Sequence, residues 1–323
     1  MARYLLGRAA QAAIVVFLVT TLSFVLIQLA PGDPFGATLE HPSIPEAVRA
    51  QWRAAAGLDR PILEQYVRYV GNALRLDFGP SFSRGEPVGD ALARAIPNTL
   101  VLMAVALAGS FLLGIVLGVI QAIRRGGVAD RAIGAGTLFF YSMPDFWLAL
   151  MVLLLFAYRF PLFPAGGMVN PFLHEYLGFW GRIGDRLHHL VLPAATLTLL
   201  SAAAIARYQR SAVLDVANED FVRTARAKGV PEGHIVMRHV LRNALLPVIT
   251  LLGLALPALL GGAVFVERVF AWPGMGSLAV DAIATRDYYV VTATVVVGGI
   301  MVAVGSLLAD ILYAVVDPRL RER

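Results

Sequence analysis

The chain has 323 residues, 58% hydrophobic and 15% charged, with a mean hydropathy of +0.70 and a net charge of +5. So apolar a composition excludes an ordinary soluble protein and matches a helical chain that crosses a membrane several times. The absence of cysteine excludes disulfides, thiolate catalysis and thiolate metal sites together.

An uncharged apolar run of about 20 residues is enough to span a bilayer. Ala9 to Gly32 is such a run, bounded by Arg8 and Asp33. It is too long for a cleaved leader and lacks a small-residue cleavage site, so it reads as span one. The segment from Asp33 to Arg94 follows, with Pro34, Pro42, Pro45, Pro61, Pro80 and Pro87 and one expected helix, Pro61 to Leu74. Ala95 to Ile123 is span two. Ala132 to Tyr158 is span three, interrupted by Pro144 and Asp145. Leu190 to Ala206, Leu246 to Val266 and Tyr288 to Ala309, running on past Asp310 to Val316, complete six spans. The expected class is therefore an all-α integral membrane protein with six transmembrane helices. Its parts are 1–32, 33–94, a transmembrane domain at 95–316 and a short tail at 317–323.

Charge sets the orientation. With the N-terminus inside, 15 of the 27 basic residues crowd into short inside segments and the rest spread over longer outside ones. The positive-inside rule thus puts both termini, and the polar stretch Glu219 to Arg242, in the cytoplasm. That stretch carries Arg223, Arg226, Lys228, Arg238 and Arg242 against Glu219, Asp220 and Glu232. Gly229 can end a helix in a left-handed turn, and Pro231 suits the first turn of the next, so the stretch reads helix, turn, helix. In the second helix Val236, Val240 and Ala244 fall on one stripe, beside Met237, Leu241 and Leu245, with Arg238 and Arg242 on another face. A basic helical pair between spans needs a partner for its polar side.

Other patterns are read structurally. Ser110, Gly114 and Gly118 recur every four residues, as do small residues where helices cross in lipid, and Gly298, Gly299 and Ala303 read the same way. IPNTL at 96, LPAATL at 192 and LPVITL at 246 read as prolines at first helical turns. His188 and His189 read as interfacial, hydrogen-bonded residues, and Asp310 as structural. Asp145 lies deep in span three after Pro144, where a carboxylate is costly. It faces either a water-filled path or a buried Arg or hydroxyl partner, or is protonated. No Gly-rich loop ending in Lys-Ser or Lys-Thr occurs, so no ATP site of that kind is expected. Ser201 lacks a nucleophile elbow. An ion-coupled secondary transporter would need a midplane site on a broken helix, for which Pro144-Asp145 is the one candidate. An intramembrane hydrolase would need a Ser/His or paired-Asp constellation at depth, and none is legible.

The words APGDP, LDFGPS, IPNTL, DRAIGAGTLFFYSMPDFWLAL, FPAGG, LPAATLTL, RTARAKG, RHVLRNALLPV, FAWPGMGSL, RDYYVV and LADILYAVVDPRLR cover nearly the whole chain. They resemble the dipeptide/oligopeptide branch of the binding-protein-dependent ABC transporter permeases, and the long segment after span one resembles the first, B-type, of its two permease subunits. The general permease motif opens Glu-Ala-Ala; here those places hold Arg223, Thr224 and Ala225, and its glycine is Gly229. Asp145 stands where the family more usually has an uncharged residue. The resemblance implies a non-catalytic subunit of a type I importer in a bacterial or archaeal cell membrane. It would pair with a second permease, with two cytoplasmic ATPases beneath and an external substrate-binding protein above. No nucleic acid is expected as partner and no cofactor in this chain, ATP and Mg belonging to the ATPases. Glu219, Asp220, Phe221, Arg223, Thr224, Ala225, Arg226, Lys228, Gly229 and Pro231 would form the ATPase-coupling element, and Ser142, Pro144, Asp145 and Phe146 would lie on the path. The outer loops, Trp272 to Met275 and the segment 33–94, would face the binding protein or cap the path. The cargo stays open between peptides, a nickel chelate, glutathione and an oligosaccharide.

Overall fold

A computed structural model describes residues 2–29, 45, 59–81, 83–261 and 263–316. Most of the segment 33–58, and the tail 317–323, lie outside the described residues. Where the structure is described it is helical apart from one small hairpin, Pro80–Ser81 (β1) against Glu86–Pro87 (β2).

Helix α1 (Ala2–Leu29) carries span one. After it, Pro61 caps α2 (Ile62–Leu74), within a residue of the helix expected from that proline. Span two lies inside a longer helix, α3 (Val88–Ile123), which starts after Pro87. Span four likewise lies inside α6 (Phe179–Ala217), 39 residues long. Pro97 and Pro193 are therefore interior residues, not first-turn residues, because both helices begin well before the apolar run. Pro247 does stand in the first turn of its helix, α10 (Leu246–Gly261). Span five is this helix together with the run leading into it, the helix long enough to cross being Glu232–Ala255, and α11 (Val264–Val269) is a separate short helix. Then come α12 (Met275–Ala284) and α13 (Tyr288–Val316), which is span six.

Span three departs most from its expected form. It is two helices, α4 (Val128–Tyr141) and α5 (Asp145–Leu153), the latter continued by a π-helical turn to Arg159, and they meet at 106°. Pro144 cannot continue the hydrogen-bond ladder of α4 and instead caps α5. Five described helices are long and apolar enough to cross a membrane, and the count is six when the bent pair is taken as one span.

The α3–α6 pair is the most extensive helix contact among the described residues. The small residues singled out in span two explain it. A β-carbon added at Gly114 would stand 2.7 Å from Ile205, and one at Gly118 2.5 Å from the Ala206 carbonyl oxygen. Ser110 is buried on the same stripe and its hydroxyl donates to Ala106 O (2.6 Å). Without a hydrophobic drive between helices in lipid, close backbone approach supplies the dispersion that holds the pair. In span six only Gly299 behaves this way, facing Val19 of α1, while Gly298 has open space beside it. The α1–α13 pair closes with an ion pair, Arg8 Nε to Asp310 Oδ2 at 3.3 Å, which gives Asp310 its structural role.

Candidate functional site

At the end of the bundle where α6 leaves the apolar core, the chain turns through α7 (Asp220–Ala227), capped by the Glu219 backbone. Lys228 closes the helix and Gly229 follows at φ +74°, the left-handed conformation that glycine adopts at no steric cost. Two hydrogen bonds define the turn: Gly229 N–H donates to Arg226 O (2.9 Å) and Val230 N–H to Ala225 O (3.3 Å). This is a Schellman closure, and Ala225 and Val230 pack together against the core as that motif favours. Pro231 then caps the next helical run, Glu232–His234 (α8), a π-helical turn Ile235–Val240 and Leu241–Ala244 (α9), which leads to α10. Arg226 clamps the turn with a bidentate pair to Glu232, Nε–Oε2 3.1 Å and Nη2–Oε1 2.7 Å, which holds the guanidinium above its ordinary range.

The π turn revises the expected stripe. A π-helix repeats nearer every fifth residue, so the buried positions run Ile235, Val240, Ala244 and Val248, while Val236 is half-buried and Met237 is 65% exposed. Ile235, Val240 and Ala244 join Val222, Ala212, Val213 and Ala122 in one cluster, which ties α7 rigidly to α3 and α6. Arg238 and Arg242 face out, as their spacing requires. On the outer side of α7, Asp220, Phe221, Arg223, Thr224 and Lys228 are exposed, and Phe221 is a partly exposed aromatic among charges. Just above, Asp130 accepts a bidentate pair from Arg210 (both 3.0 Å) and the Gly126 N–H (2.9 Å), fixing the α3–α4 turn to α6.

Ser142, Pro144, Asp145 and Phe146 come together at the α4–α5 bend. Ser142 spends its hydroxyl on Leu138 O (2.9 Å), and the Phe146 ring lies 6.3 Å from that of Phe265. Asp145 is exposed and, among the described residues, makes no hydrogen bond or ion pair. A buried partner among the described residues is thus not what satisfies it. A cleft of about 470 Å3 opens between α3, α6 and α10, lined by residues that include Tyr141, Ser201, Tyr208 and Leu254 but none of these four.

The opposite end holds two polar centres that sequence reasoning missed. Glu267 is fully buried. Its carboxylate accepts from Thr99 Oγ1 (2.7 Å), Gly276 N (2.7 Å) and Ser277 N (3.0 Å), so it caps the first turn of α12. Thr99 in turn accepts from Met275 N (2.8 Å), and Trp272 Nε1 donates to Asn98 O (3.0 Å). Trp272 and Met275 are buried in this tie, so they do not present an outer face as expected. The reason is that IPNTL supplies the hydrogen-bond partners their loop needs. The signal was Glu267 itself, a carboxylate at the edge of an apolar run, followed by Gly274 and Gly276. Asp287 does the same for the hairpin, accepting from Ser81 Oγ (2.7 Å), Ser83 Oγ (2.8 Å) and Ser83 N (3.0 Å). Burial raises its pKa, but these hydrogen bonds outweigh it and hold the carboxyl below its ordinary range. His188 and His189 are hydrogen-bonded as expected, to Leu162 O (2.9 Å) and Asp185 O (2.9 Å).

A multi-span helical bundle with a charged helix–turn–helix at one end defines the class as a helical membrane component. The chain belongs to the family of binding-protein-dependent transport system inner membrane components, which residues 114–322 match, while residues 1–103 match the N-terminal part of such membrane components. It is 41% identical over 321 residues to an oligopeptide transport system permease protein, AppB, of Bacillus subtilis (strain 168), covering 99% of each chain. It is 39% identical over 326 residues to an oligopeptide transport system permease protein, OppB, of Mycobacterium tuberculosis (strain ATCC 25618 / H37Rv), again 99% of each. A di/tripeptide transport system permease protein, DppB, of Pseudomonas aeruginosa (strain UCBPP-PA14) is 38% identical over 95% of each chain.

Proposed function

We propose that this chain is one of two permease subunits of an ATP-driven importer that carries peptides delivered by an external substrate-binding protein. The relatives' names support the peptide class, and the crowding of basic residues puts α7 and both termini in the cytoplasm. Two cytoplasmic ATPases bind beneath and supply the chemistry, holding ATP and Mg; this subunit supplies half of the path and none of the catalysis. The observation that carries the reading is the outer side of α7. Its base is locked to α3 and α6 through Val222 and the Schellman turn, while Phe221, Arg223, Thr224 and Lys228 are exposed on the other side. Such a helix transmits rigid-body motion from a docked partner to the spans. Phe221 is the anchor and the charges are the rim, which adjusts association and its salt dependence.

Asp145 has no partner among the described residues, which supports a place for it at the face shared with the second permease, where water or cargo meets it. The test of the whole reading is Gly229→Val. Nothing lies within 4 Å of a β-carbon there, so the penalty is purely conformational, roughly 1 kcal/mol or more for a branched residue in the left-handed region. We expect normal membrane insertion but loss of ATPase co-purification, or of transport per ATP hydrolysed. If both stay at the parental level, α7 is not the coupling element.

A further inference from the structure

Helix α2 (Ile62–Leu74) divides into three faces. Tyr66, Tyr69 and Ala73 turn to the bundle. The Tyr66 hydroxyl shares a 2.7 Å hydrogen bond with Thr21 Oγ1, and the rings of Tyr66 and Tyr69 lie 5.3 and 5.5 Å from that of Phe24. Ala73 joins the buried cluster that holds Val290 and Ala293. About a quarter-turn away, Leu63, Val67 and Leu74 form an apolar stripe that is 74%, 62% and 80% exposed. The third face is charged. It carries Glu64, ion-paired to Arg60 and to Arg68, and is followed by Arg75.

The level of this helix decides what covers its apolar stripe. Its contacts on α1 run from Thr21 to Gln28, in the outer part of an apolar run that ends before Asp33. Its contacts on α13 fall on Val290 and Ala293, in the first two turns of a span that begins at Tyr288. Both neighbours therefore put α2 where the spans leave the hydrocarbon. An apolar stripe held there meets acyl chains and not water, and a cationic face beside it meets headgroups.

We propose that α2 is an interfacial membrane helix, seated in the headgroup–acyl boundary of a phospholipid bilayer, with Leu63, Val67 and Leu74 in lipid and Arg60, Arg68 and Arg75 at the phosphates. The helix then anchors the segment between spans one and two to the membrane surface. The spans and their ends alone give α2 this seat, whichever solute the transporter carries.

The absence of native cysteine makes the test clean. Single cysteines at Leu63, Val67, Leu74, Arg68, Gly71 and Arg75 in the full chain, reconstituted in phospholipid nanodiscs with the subunits that co-purify, are spin-labelled. Collision with dissolved oxygen, which concentrates in lipid, is compared with collision with a water-soluble nickel chelate. The oxygen-to-nickel ratio should be several-fold higher at Leu63, Val67 and Leu74 than at Arg68, Gly71 and Arg75, following the helical period. Equal, nickel-dominated ratios at all six positions would overturn the proposal. A stripe open to nickel that becomes shielded only on addition of the substrate-binding protein would also overturn it, and would make the stripe a protein-docking surface. Six independent positions keep the result readable if one variant fails to insert.

Discussion

Glu267 shows how much one buried side chain can organise. Its two oxygens take a hydroxyl and two backbone N–H groups, and the glycine at 274 is required because a β-carbon there would sit 2.5 Å from the carboxylate. Replacing it by Ala orphans buried donors at Thr99, Gly276 and Ser277, each costing about 1–3 kcal/mol when left unsatisfied. Glu267→Ala should therefore lower the thermal midpoint of the purified protein and speed amide exchange selectively across Met275–Ala284. Glu267→Gln, which keeps an acceptor oxygen, should do less. Equal exchange in parent and Glu267→Ala would mean the cap is dispensable. Little of this was legible beforehand, because a lone carboxylate at the edge of a span carries no record of which distant hydroxyl and N–H groups will meet it. Gly229 is the opposite case: its left-handed turn follows from Gly and Pro at fixed local offsets, so the sequence alone places it.

Among the elements, the α3–α6 pair and the α4–α5 bend answer to different physics. Small residues at i, i+4 announce that some helix will approach closely, and the structure supplies α6 as that helix. Gly118→Val would drive a side chain into the Ala206 carbonyl and Gln209, and overpacking of this kind costs about 1–3 kcal/mol. A loss of thermal stability in detergent is expected, with Gly298→Val, which meets nothing within 4 Å, as the near-silent comparison. Similar melting for the two variants would show that the close approach is not maintained in solution. The bend between α4 and α5 was signalled by Pro144 only as an interruption. Its 106° angle depends on α5 packing through Leu148, Ala149 and Val152 against Leu192, Val266 and Phe270, contacts between segments far apart in the chain. The π turn at Ile235–Val240 is similar in kind: one residue of slippage that an α-helical period does not foresee.

For the whole molecule the proposed orientation is the claim most easily checked. Glu175 lies in the exposed connection after the bent span, and Glu232 lies beside the Schellman turn. A cysteine at Glu175 should react with a membrane-impermeant maleimide added to intact cells, and one at Glu232 only after permeabilisation. The reverse pattern would invert the topology and remove the basis for an ATPase beneath α7.

The sequence by itself determined that the chain is a multi-span helical membrane protein, which apolar runs its long helices contain, and that a glycine-turned basic helix joins the fourth run to the fifth. These rest on hydrophobic run length, charge placement and local turn chemistry, all of which act within a few residues. Tertiary structure alone decided that Trp272 is a core residue, that Asp145 finds no partner among the described residues, and that α2 packs against α1 and the start of α13. Each of these depends on which groups distant in sequence come within hydrogen-bonding or packing distance, and no local pattern encodes that.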